Sequence, residues 1–163
     1  MLFRSQGSAP SPGSPQKFVA DHLETATRVK QKYGVPISVC LAQSALETGW
    51  GHHVVGNAYF GIKSQSKSDQ TVTAPTYEYQ NGCYVVVSGR FSAFADFDAA
   101  ADYYGKFLST QPRYQDAFKY RDDPEQFAMA VAKAKYATAP NYGQMLMRVM
   151  RSEGLEALDE AQA

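Results

Sequence analysis

The sequence predicts an α+β fold, mainly α, in which one small β-hairpin lobe is inserted between helices. Three observations predict it. Apolar residues recur at helical spacing from Phe18 to Leu46 and again beyond Asp98, two β-rich runs flank the dipeptide Asn81-Gly82, and no internal repeat divides the 163 residues. A chain of this length is most simply one domain with a core of its own.

The elements follow in order. Ser5 to Gln16 is built from Ser, Gly, Pro, Ala and Gln without apolar periodicity, so residues 1–16 are expected to be a disordered leader and residues 17–154 the folded domain. Phe18, Val19, Leu23, Ala26 and Val29 space a first helix that Gly34 ends, and Pro36 suits the opening of a second, running from about Ile37 to Glu47 and stopping at Gly49. Cys40, Gln43 and Glu47 fall on one face of that helix. Thr71-Val-Thr and Thr76-Tyr-Glu-Tyr79 approach the Asn81-Gly82 turn, and Tyr84-Val-Val-Val87 leaves it. That is a strong hairpin signal, with Pro75 marking an edge or a break. Asp98 is placed to cap a helix through Leu108, Asp123-Pro124-Glu125-Gln126 opens another, and Pro140 opens the last, which runs towards Gly154. The acidic tail 155–163 is expected to fray.

Composition excludes several function classes. Sixteen basic residues balance sixteen acidic ones, so no excess positive charge draws the chain to nucleic acid or to an anionic membrane surface. No stretch approaches the ~18 to 20 apolar residues of a membrane span. Cys40 and Cys83 read as buried free thiols. His52 and His53 are adjacent and do not converge on one ion, and no other ligand cluster is near, so neither a metal nor a cofactor is expected. The 11 Tyr and 9 Phe suit a core and also a groove that stacks against sugar rings.

Glu47 is the residue that points to chemistry. It ends an apolar helix just before Thr48-Gly-Trp-Gly51. A helix C-terminus disfavours a negative charge, and apolar neighbours such as Leu46 and Trp50 disfavour it further. Both effects favour a glutamic acid that keeps its proton near neutral pH, as a general acid must. Glu78 lies on the hairpin two residues before its turn. A helix-borne acid facing a hairpin-borne acid is a way to flank a glycosidic bond, one protonating the leaving oxygen and the other assisting water or stabilising charge on the sugar. Trp50 could stack on a sugar or plug the core, and Asn57 could bind a substrate amide or cap backbone. Gly61 indicates a tight backbone, Lys63 is expected to stay solvated, and Tyr136 could donate to a water or an acetamido group.

These residues sit in motifs that resemble the peptidoglycan glucosaminidase domains of glycoside hydrolase family 73. Ala42-Gln-Ser-Ala-Leu-Glu-Thr-Gly-Trp-Gly51 is similar to that family's A-Q-A-A-L-E-S-G-W-G, and Asn57-Ala-Tyr-Phe-Gly-Ile-Lys63 to its N-N-L-F-G-I-K. Thr76-Tyr-Glu-Tyr79 resembles its T-x-E-Y hairpin, Arg90-Phe91 resembles its F-R-x-Y region less closely, and Tyr136-Ala-Thr-Ala-Pro-Asn-Tyr142 its Y-A-T-D-P-x-Y. The five elements keep the family's order and cover roughly Phe18 to Met150. The resemblance implies a lysozyme-like helical domain. It implies Glu47 as general acid, Glu78 as the second carboxylate on a mobile lobe, and Tyr136 as the active-site tyrosine. Tyr142 would lie near the cleft, with Trp50, Tyr59 and Phe60 as aromatic groove elements. Three departures remove polar groups: Ala139 stands where the family usually has Asp, Ala58 replaces an Asn, and Phe94 a Tyr.

The function this implies is hydrolysis of the β-1,4 bond between N-acetylglucosamine and N-acetylmuramic acid. The partner is then the peptidoglycan glycan strand, the place of action the bacterial envelope, and the outcome wall degradation, bacteriolytic or antibacterial. A muramidase or lytic transglycosylase on the same fold, or a non-catalytic wall-binding module, are the other readings. Met1 to Gln6 lacks a charged segment followed by an apolar core, so delivery by a holin, specialised secretion or host-directed export is expected. A secreted effector of this kind would call for an immunity or delivery protein.

Overall fold

The computed structural model describes residues 13–161. Helices α1 (Pro15–Tyr33) and α2 (Ile37–Thr48) come first, then the hairpin of β1 (Thr71–Gln80) and β2 (Cys83–Ser92), then α3 (Phe97–Thr110), α4 (Pro124–Lys133), α5 (Tyr142–Ser152) and α6 (Glu156–Ala161). A 3₁₀ segment, Pro112–Tyr120, joins α3 to α4 and had no forecast in the sequence.

α2 organises the body because Ile37 through Ala45 are all buried. A helix that is apolar around its whole circumference has no face to give to water, so other elements must sheathe it. α1, α4, α5 and α6 do so. α2 has no side-chain cap of its own behind Pro36. The carboxylate of Asp159 on α6 fills that role, accepting from the Ser38 N–H at 3.1 Å. The acidic tail therefore does not fray through residue 161: α6 forms, and Leu155 just before it is fully buried.

The leader also differs from expectation at its end. Residues 1–12 lie outside the described residues, but Ser14 caps α1 and Pro15 and Gln16 already belong to it. Asp96, not Asp98, caps α3, accepting from the Ala99 N–H at 2.8 Å. Asp98 in the first turn bonds Thr25 and Arg28 of α1 instead. Asn141 rather than Pro140 precedes α5. Cys40 is buried as expected, whereas Cys83 is exposed, because it directly follows the hairpin turn.

The hairpin is a two-stranded antiparallel ribbon in which Gln80 pairs with Cys83 across Asn81-Gly82. Both turn residues have positive φ, 51° and 84°, the backbone that matches a tight turn to the twist of its strands. Pro75 pairs with Ser88 without breaking the strand, since each strand of a two-stranded ribbon has a free edge. The segment before β1 anchors the base of the ribbon: Ser92 N–H donates to Ile62 at 2.9 Å, and Ser64 N–H to Arg90 at 3.0 Å.

Candidate active site

A cleft of about 410 Å³ lies between the hairpin and the helical body. Glu47 and Gly61 line it from the body, Tyr77 and Glu78 from β1, and Tyr136 to Ala139 from the loop between α4 and α5. The cleft is bridged, because the Thr138 hydroxyl accepts from the Tyr79 N–H at 2.9 Å.

Glu47 reaches the cleft because it stands on the last turn of α2, the only part of that helix that leaves the core. Gly49 then turns the chain away, with φ 57° and its N–H on the Ala45 carbonyl. Glu47 is exposed by surface area, yet it stands among the cleft walls, with Gly61 directly against its carboxyl. That crowding withholds bulk water and pushes the carboxyl above the usual carboxylate range. Among the described residues it has neither a cation partner nor a hydrogen-bond donor.

Glu78 is in the opposite situation. Lys63 Nζ pairs with its Oε1, and Gln80 Nε2 donates to its Oε2 at 3.2 Å. The hydrogen bond from Lys63, followed by that from Gln80, holds this carboxyl below its ordinary range. Only 17% of the side chain is exposed, yet the two hydrogen bonds outweigh the effect of that cover, so pairing and not burial governs its charge. Lys63 is thus not the freely solvated residue the sequence suggested.

Tyr136 is partly buried, and its hydroxyl donates to the Phe60 carbonyl at 2.6 Å. A carbonyl can only accept, so the phenolic hydrogen is committed there and the cleft meets the oxygen as an acceptor. Burial pushes this phenol well above its ordinary range, and it stays protonated. Tyr142 stacks on it with centroids 5.9 Å apart and planes 12° from parallel. Behind them Gln43 donates to the Tyr142 hydroxyl at 3.0 Å and accepts from the Tyr104 hydroxyl, a buried polar network that fixes the wall carrying Tyr136. The helical face shared by Cys40, Gln43 and Glu47 was the sequence signal for it.

The structure brings Glu47, Glu78 and Tyr136 to one cleft but not the residues expected to bind substrate. Trp50 packs edge-on against Phe18 at 5.7 Å, and Asn57 spends its amide on the carbonyls of Phe94 and Ala95. Tyr59 packs on Phe97 at 4.9 Å, Phe60 is buried and stacks on Tyr104 at 4.2 Å, and Tyr142 is buried behind Tyr136. The aromatic walls are instead Tyr77, Phe91, Phe107 and Tyr114. Arg113 and Lys135 are the cations at the cleft besides Lys63, and Ala139 lines it too, so the family's missing Asp would have been a cleft residue. Among the described residues no group of three or more His, Cys, Asp or Glu could hold a metal.

Residues 23–155 match the family described as Glucosaminidase, mannosyl-glycoprotein endo-beta-N-acetylglucosaminidase. The chain is 35% identical over 143 residues to the peptidoglycan hydrolase FlgJ of Vibrio parahaemolyticus, covering 83% of this chain and 46% of that one. It therefore spans under half the length of that relative. Among solved structures it resembles a peptidoglycan hydrolase mutant from Sphingomonas sp. A1, with TM-score 0.74 and 32% identity over 86% of this chain and 96% of that one. It also resembles a C-terminally truncated glycoside hydrolase domain of Salmonella typhimurium FlgJ, with TM-score 0.70 and 29% identity over 87% and 99% of the two chains.

Proposed function

The chain belongs to the glucosaminidase family, glycoside hydrolase family 73, and from that premise we propose that it hydrolyses the β-1,4 bond between N-acetylglucosamine and N-acetylmuramic acid in peptidoglycan. The observation that carries the reading is the pair of carboxyl groups lining one cleft in opposite environments. Environments that drive two acids apart assign their roles. Glu47 holds its proton and gives it to the glycosidic oxygen as the bond to the sugar C1 breaks. Glu78, held ionised, faces the positive charge that develops on the sugar and orients the water that completes hydrolysis. Tyr136 offers its oxygen as an acceptor for the substrate's acetamido N–H or for that water. The substrate places this action in the bacterial envelope.

Digestion of purified peptidoglycan, borohydride reduction and mass spectrometry test the bond assignment. Reduced N-acetylglucosamine at the new ends is the expected result. Reduced muramic acid would move the cut to the neighbouring bond and make the protein a muramidase. Anhydro ends would make it a transglycosylase, and no new ends a binding module.

The bridge across the cleft gives a second expectation. Thr138→Val removes the acceptor for the Tyr79 N–H but keeps the side chain's shape. One such bond contributes roughly 0.5–1.5 kcal/mol. The variant should raise KM for peptidoglycan by about two- to tenfold and leave kcat within a factor of about two, because the bond holds the hairpin and not the reacting atoms. A fall in kcat at unchanged KM would show that the bridge acts on the chemical step.

A further inference from the structure

One short segment touches all three groups assigned to the reaction. The Phe60 carbonyl receives the Tyr136 hydroxyl, Gly61 lies against the Glu47 carboxyl, and Lys63 Nζ pairs with Glu78. The sequence offered this stretch as a sugar-stacking wall with a solvated lysine at its end. In the fold it is a strut fixed at both ends. The Tyr59 carbonyl accepts from Ser44 of α2 at 3.0 Å, and Lys63 forms a bridge to Phe91 of β2.

Resting on the reading of Glu78 given above, we propose that Lys63 is the positioning residue for Glu78, fixing that carboxylate in orientation and charge within the cleft. Three features support a positioning role over an incidental surface pair. Lys63 comes from the strut and not from the hairpin's own strands, and the strut runs back to Ser44 on the helix that carries Glu47. Its backbone is held on both sides, by Ile62 accepting from Ser92 and Ser64 donating to Arg90, so the ammonium is aimed from a fixed base. And Glu78 receives a second donor, Gln80, on its other oxygen, so both oxygens are engaged.

The other charged and titratable groups around Glu78 do not duplicate this contact. Glu47, Arg113, Tyr114, Lys135 and Tyr136 share the cleft, and Tyr77 and Tyr79 flank Glu78 on β1. Its partner across the ribbon is Val85, which carries no charge. Lys63 is the one cation bonded to it among the described residues.

Lys63→Met keeps the stem and removes the charge. The side chain is 55% exposed, so the fold should persist. Titration of the Glu78 carboxyl by carbon NMR reads the pair without reference to activity: its midpoint should move up in Lys63→Met and stay near wild type in Lys63→Arg. In kcat/KM against pH on peptidoglycan, the acid limb should move to higher pH by the same amount while the alkaline limb, set by Glu47, stays. On the acid side of the limb each unit of displacement lowers the rate about tenfold. An unchanged Glu78 midpoint overturns the proposal. An unchanged rate profile beside an inactive Glu78→Gln overturns the role of Lys63 alone. If Glu78→Gln cleaves as fast as wild type, the assignment of Glu78 fails and the role of Lys63 falls with it.

Discussion

Glu47→Gln is expected to abolish glycan cleavage and to raise thermal stability at neutral pH. The amide fills the same space but has no proton to donate, and the loss of general acid catalysis costs on the order of 10²–10⁴-fold in rate. The stability effect has a defined sign. Crowding raises the Glu47 pKa in the folded protein, so the folded state binds its proton more tightly than the unfolded chain does. Folding is then weakened by this residue as pH rises from the ordinary glutamate value, about 4.3, through the folded one. Above that window the wild type carries the full cost of a charged carboxyl in the cleft, and Gln removes it. Below it both side chains are neutral and the difference vanishes. A chain of this size gains roughly 2–4 °C in Tm for each kcal/mol. Melting curves of both proteins at pH 4 and pH 8 therefore check the environment of Glu47 independently of catalysis. Equal Tm shifts at the two pH values would show that the carboxyl is ordinary.

The same two carboxyls show what was legible in the sequence and what was not. Glu47 was legible because the apolar run before it, the glycines after it and its place on a helix end are all sequence features, although the cleft walls around its carboxyl come from distant segments. Asn81-Gly82, Gly34 and Asp123-Pro124 were legible for the same reason, since turn and cap chemistry depends on adjacent residues. Asp96 and Asp98 show the limit. Both suit the start of a helix, and the contact of Asp98 with Thr25 of α1 settles the matter from 73 positions away. Lys63 is a second case, since its partner lies fifteen residues off on a different element.

Aromatic residues were the least legible. The motif aromatics Trp50, Tyr59 and Phe60 were expected in the groove on the resemblance of their motifs to the family's. In the fold, the side chains of Trp50 and Tyr59 pack around Phe18 and Phe97, and only the backbone carbonyl of Phe60 serves the site. The aromatic walls at Phe107 and Tyr114 come from the end of α3 and the 3₁₀ segment, which had no periodicity to announce them. The acidic tail misled in a related way. Its charge suggested fraying, but Leu155 and Asp159 are both taken up by the body.

Gly61→Ala is expected to inactivate the protein without unfolding it. Gly61 has φ 60°, a region that costs a non-glycine residue about 1 kcal/mol or more. The larger effect is steric. A Cβ at this position would collide with Oε1, Cδ and Cγ of Glu47, the end of a flexible side chain and not backbone. The collision is therefore relieved by rotating Glu47 and not by opening the core, and the acid leaves the position from which it can reach the glycosidic oxygen. Displacement of a reacting group by about 1 Å costs on the order of 100-fold in rate. Glu47 is the residue that moves, so kcat should fall far more than KM rises, with a far-UV circular dichroism spectrum like that of the wild type. The double variant Gly61→Ala with Glu47→Gln separates this effect from a general disturbance of the strut. If displacement of the acid is the whole effect, the double variant is no less active than Glu47→Gln alone. A further loss in the double variant would show that the alanine also disturbs Tyr136 or Lys63 through the segment they share.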